Sequence, residues 1–145
     1  MSRFALSLVA LAFVLQPVSA GARNTAHELS IQAALESVLA QERMLDLPVY
    51  FGTQAHPAIA EKIREGRSNK ATRAMFRSDE SACQVAFLSG LIALQQQAQA
   101  MGADAVVNIQ TNTGGPASNS SETYKCAAGG AVARVNVTGT YVKLR

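Results

Sequence analysis

The sequence predicts an α+β domain: a small antiparallel sheet of about four strands with one long helix packed on it, stapled by one disulfide. Three observations carry that expectation. A wide apolar stripe at helical spacing runs from Cys83 to Ala98 between a capping serine and a stop glycine. A long alternating segment, "GAVARVNVTGTYVKL", follows at the C-terminal end. The chain has two cysteines, Cys83 and Cys126, so a single pairing is possible.

Taken in order, the chain opens "MSRFALSLVALAFVLQPVSAGARN". Arg3 is a short positive n-region, Phe4 to Leu15 is an apolar core, and Gln16 and Pro17 break it ahead of the small residues "VSA". That is the pattern of a cleavable signal peptide over residues 1–20, with cleavage after Ala20 or, in second place, after Ala22. The apolar run falls short of the ~20 residues a membrane span needs. The expected product is a periplasmic domain, residues 21–145, that does not span the membrane. Its length is that of one domain.

"HELSIQAALESVLAQERML" carries Leu29, Ala33 or Ala34, Leu35, Val38, Leu39 and Leu45 on a rough stripe, which predicts a helix over about residues 30–43 with Ser30 as its cap. The proline of "LPVYFG" ends that helix, and the β-branched and aromatic residues after it predict a strand closed by Gly52. Pro57 follows His56 in a turn. The segment from Ile59 to Gly66 reads as helical turns or strand, and "SNKATRAMFR" as a loop or edge strand.

Ser78, Asp79 and Glu80 then give the strongest helix start in the chain, a cap with negative charge in the first turn. The periodicity predicts a main helix over about 79–101, stopped by Gly102. "QQQ-Q", Gln95 to Gln97 and Gln99, is read as its outer polar face. "ADAVVNIQ", "SETYKC" and the C-terminal alternating segment are expected as strands joined in a meander, with Val132, Arg134, Asn136, Thr138 and Thr140 on one face. "TNTGGPASNSS" between them is a turn-rich loop.

In an exported chain two cysteines read as a disulfide, Cys83 with Cys126. The rivals are a redox switch and a metal site. The first would more typically show Cys-x-x-Cys, and the second needs three or four ligands, for which only His27 and His56 are at hand. No metal and no cofactor is expected.

Removing Arg3 leaves 12 basic against 10 acidic residues, a net charge of +2. That charge is too mild to argue for nucleic acid, and the basic segment Lys62 to Arg77 reads as a solvated surface. The sequence lacks GxxxxGK[ST], which excludes a P-loop ATP site, and lacks Gly-x-Ser-x-Gly. The best polar cluster is "YFGTQAHP", with Tyr50, His56 and Pro57 as a candidate functional surface and His56 as a candidate acid or base. Asp104 reads as a strand-entry residue, and Asn119-Ser-Ser matches a glycosylation acceptor pattern.

The order "AC…AFLSGLIALQQQAQAMGADAVVNI…YKC" resembles a group of small exported bacterial proteins over most of the processed chain. The "GADAVVNI" junction, Gly102 to Ile109, is also similar to the periplasmic domain of the sensor lipoprotein of the Rcs envelope-stress phosphorelay and to a heavy-metal-binding domain family. Members of the exported group are often labelled excinuclease subunits, a label at odds with a short chain that lacks an ATP loop. The resemblance implies a stapled α+β domain with Cys83 and Cys126 paired. The function expected is non-enzymatic: a binding or envelope-stress accessory domain whose partner is a periplasmic protein or envelope component, with neither ATP nor nucleic acid. The alternative is a small enzyme or metal-handling protein centred on His56.

Overall fold

The computed structural model describes residues 23–145, so the expected signal peptide and its cleavage sites lie outside the described residues. The expected α+β architecture is present, with one long helix on a sheet, but the sheet has six strands rather than about four. Strand β1, Thr25–Ser30, precedes two short helices, α1 (Ile31–Leu35) and α2 (Val38–Arg43). Strands β2 (Val49–Phe51) and β3 (Ile59–Arg73) lead into helix α3 (Asp79–Ala100). Strands β4 (Ala105–Thr111), β5 (Thr123–Ala128) and β6 (Val132–Leu144) complete the chain.

The single N-terminal helix expected over 30–43 is two helices, and Ser37 divides them. Ser37 is extended (φ −67°, ψ 154°), its hydroxyl donates to Ala34 O and accepts from Ala40 N–H, and it so caps α2. A serine hydroxyl offers the backbone a local alternative to the helical ladder, which an apolar stripe does not reveal. Leu29, read into that stripe, belongs to β1 and packs on the core from a strand.

Helix α3 follows its sequence closely. Ser78 accepts from Ser81 N–H, and Gly102 (φ +68°) ends the helix, with Ala103 N–H donating to Ala98 O and Gly102 N–H to Gln99 O. Those two bonds satisfy carbonyls that a helix end otherwise leaves open. The buried face, including Phe87, Leu88, Leu91 and Leu94, lies against Val135, Val137 and Tyr141 of β6. Each such side chain contributes roughly 1.5–3 kcal/mol by leaving water.

The meander is not formed. The strand order is β1-β5-β6-β4-β2, with β3 on the opposite edge of β6. Strand β6 pairs β3 along its length, while β4 and β5 occupy its other edge in tandem, β4 opposite Val137 to Val142 and β5 opposite Ala133 and Arg134. At the junction the Thr113 hydroxyl accepts from Asn136 N–H, and the Thr111 hydroxyl accepts from Lys125 N–H. Two threonine side chains thus stand in for ladder bonds. The sheet is also mixed, because β2 runs parallel to β4.

Alternation along β6 is as expected: Ala133, Val135, Val137 and Gly139 are buried, and Arg134 is exposed. At Gly66 on β3 a side chain would overlap the Tyr141 ring, which lies across the glycine and donates its hydroxyl to Gln97 Oε1. The disulfide staples α3 to the sheet: Cys83 and Cys126 are bonded and fully buried, with their Cα atoms 5.8 Å apart.

Candidate functional site

Helix α3 covers one face of the sheet, and the other face carries the candidate site. Directly opposed residues on antiparallel strands share a face, so β3 and β6 together display Arg67 with Thr138, Asn69 with Asn136, Ala71 with Arg134, and Arg73 with Val132. This face divides into three regions.

At one end Ala105, Val107 and Val142 form a small buried cluster, covered by Tyr50, Ile59 and Leu144. Here the structure brings together the sequence-predicted Tyr50, His56 and Pro57. The Tyr50 and His56 rings lie 5.7 Å apart, and His56 Nδ1 is 2.8 Å from Pro57 O. A carbonyl only accepts, so Nδ1 donates in this contact, and in the neutral ring Nε2 is then an acceptor. The ring is exposed, and among the described residues no group of three His, Cys, Asp or Glu side chains gathers to hold a metal ion.

The middle region is a polar groove of about 430 Å³ lined by Glu65, Arg67, Asn108, Gln110, Thr138 and Thr140. Asn108 sits at a bulge of β4 with φ +50°, a conformation asparagine tolerates better than most residues. Gln110 Nε2 donates to Asn108 Oδ1 and to Asn119 Oδ1, so the Asn119 side chain of the glycosylation-like pattern is already engaged.

The far end opens into a depression of about 720 Å³ bounded by Asn69, Thr113, Arg134, Asn136 and the β5–β6 turn at Gly129 and Gly130. Arg134 has no ion-pair partner among the described residues. The Asn136 Oδ1 atom is buried without a hydrogen-bond donor. A buried acceptor with no partner is costly, and groups left in that state are rare in folded domains. The depression is therefore bordered by a guanidinium with no ion-pair partner among the described residues and by an asparagine whose buried amide oxygen lacks a donor.

Next to the disulfide, Arg23 donates two hydrogen bonds to the Asp79 carboxylate, at 2.7 and 2.9 Å, and His27 Nε2 lies 2.9 Å from the same group. The Arg23 hydrogen bonds hold the Asp79 carboxyl at about 2, below its usual 3.8. Burial first, and then the Glu80 carboxylate, pushes the Tyr124 hydroxyl up, and Tyr124 stacks flat on Phe87 at 3.8 Å. These groups are structural: they tie β1 and β5 to α3.

Asp104 takes the strand-entry role expected of it, accepting from Leu144 N–H. The basic segment forms β3 and the following turn, with its charged side chains exposed. Sequence reasoning did not assemble the far depression. Its β6 half was visible in the alternation that puts Arg134 and Asn136 on the wet face, but its β3 half was not. Comparison of the chain with protein-family models, with curated proteins and with solved structures finds no match.

Proposed function

We propose that the protein is a non-enzymatic binding domain of the bacterial cell envelope, a periplasmic accessory to envelope-stress handling that works through the uncovered face of its sheet. The observation that carries this reading is that the far depression is lined both by Arg134, which has no ion-pair partner among the described residues, and by Asn136, whose Oδ1 lacks a donor. Polar groups presented from paired strands favour recognition, because the backbone that carries them needs little ordering when a partner arrives. The buried disulfide is in keeping with an oxidising compartment, and no described helix is long and apolar enough to cross a membrane. The resemblance to small exported proteins and to the Rcs sensor domain supports the envelope setting.

A second reading rests on His56, whose Nδ1 is fixed by Pro57 O while Nε2 stays open as an acceptor. It makes the Tyr50–His56–Pro57 end a site of small-molecule or metal handling.

Photo-crosslinking in intact cells separates the two. A photoreactive residue at Asn69 is expected to give a discrete product that Arg134→Glu removes and His56→Ala leaves. The same residue at Gln41, on the exposed surface of α2, gives none. A product from Asn69 that His56→Ala removes and Arg134→Glu leaves supports the second reading, and no product from Asn69 sinks the first.

A further inference from the structure

The turn from β3 to α3 presents two apolar side chains that the fold does not use. Phe76 is fully exposed (101%) and Met75 is 56% exposed. Phe76 also has φ +63°, in the left-handed region that suits glycine and burdens an aromatic residue. The ring gains nothing by folding and its backbone conformation costs stability, and backbone strain of that kind clusters at functional sites.

The base of the turn is firmly held. Ala74 is buried and donates its N–H to Ala131 O, Arg77 N–H donates to Ala74 O, and Ser78 caps α3. Arg73 and Arg77 flank the tip, both exposed and neither ion-paired among the described residues. Asp79, the nearest carboxylate along the chain, is occupied by Arg23 and His27.

We infer that Met75 and Phe76 insert into an anionic lipid surface, with Arg73 and Arg77 held at its phosphates. The turn presents two exposed apolar side chains, and Arg73, Arg77, Ser78 and Glu80, next to them in the chain, are exposed as well. A protein partner would call for a broad patch, roughly 800 Å² a side with an apolar centre. A bilayer interface accepts a small apolar wedge and adds attraction for each nearby cation. The docking site borders the far depression, since Arg73 lies opposite Val132 of its lining, but stands whether or not that depression binds a partner.

Vesicle co-sedimentation tests it, using the protein as recovered from cells and Phe76→Gly in the same form, so that any contribution of residues 1–22 cancels. With phosphatidylcholine vesicles containing phosphatidylglycerol, Phe76→Gly is expected to lower partitioning about tenfold, and raised salt to weaken the wild type. Glycine accepts the left-handed turn, so the same variant melts no lower than the wild type. Phe76→Trp places the chain's sole tryptophan at the tip, and its emission moves to the blue when these vesicles are added. Wild-type protein that ignores anionic vesicles, partitioning unchanged in Phe76→Gly, or a lowered melting temperature in that variant would each overturn the inference.

Discussion

Asp79 shows how much one carboxylate can hold. It lies in the first turn of α3, accepts two bonds from Arg23, and meets His27, which sits opposite the disulfide-bonded Cys126 in the β1–β5 register. Its folded carboxyl titrates at about 2 against 3.8 for the free group. Because the folded value is the lower one, the stability this group contributes is complete above about pH 4 and is lost as pH falls through about 2. Asp79→Asn is therefore expected to flatten the acid limb of the melting profile between those limits and to leave a constant offset above it. Melting temperatures measured across that window decide the point: parallel acid limbs would mean the Arg23 contact is not made in solution.

At the scale of elements, α3 fixes its neighbours through a buried amide. Gln95 is 1% exposed, accepts from Leu45 N–H, and donates to Leu45 O and Leu47 O, so it grips the link between α2 and β2. Gln95→Leu leaves three backbone groups without partners and is expected to cost about 2–4 kcal/mol in urea unfolding. Gln96→Leu, at an exposed neighbour, should change stability by less than ~0.5 kcal/mol. A Gln95→Leu loss no larger than that would show the grip to be dispensable.

The same residue marks the limit of legibility in the sequence. A run of glutamines reads as a polar face, yet Gln95 and the Tyr141 partner Gln97 point inward, because backbone groups and a tyrosine await them there. The bounds of α3, its Ser78 cap, its Gly102 stop and the alternation of β6 were all legible, since each depends on local pattern. Strand β3 was not. Bulges at Ile59/Glu61 and Lys62/Arg64 break its alternation, and its charges, which guard an open edge, read as solvated loop. Of the candidate surface, the Tyr50–His56–Pro57 cluster could be found because it is contiguous in sequence. The far depression needed the cross-strand register of β3 on β6.

For the whole molecule, the disulfide is the strongest single constraint. It closes a loop of about 44 residues, which the chain-entropy relation values at roughly 4 kcal/mol. Replacing both cysteines, Cys83→Ser with Cys126→Ser, is expected to lower the melting temperature by more than about 10 °C, and reductant should do the same to the wild type. Calorimetry with and without reductant checks both; a shift of only one or two degrees would mean that packing alone secures α3 to the sheet.

The tandem docking of β4 and β5 on β6 has a consequence for biogenesis. Strands β3, β4 and β5 all await β6, the last described element to leave the ribosome; before then β2 can pair only with β4, and β1 only with β5. A nascent chain lacking this keystone holds two disconnected ribbons, and short isolated strand pairs are marginal at best in water. The polypeptide thus cannot complete its sheet until late in its synthesis. Only the final strand, paired with β3, β4 and β5, joins the ribbons into one sheet.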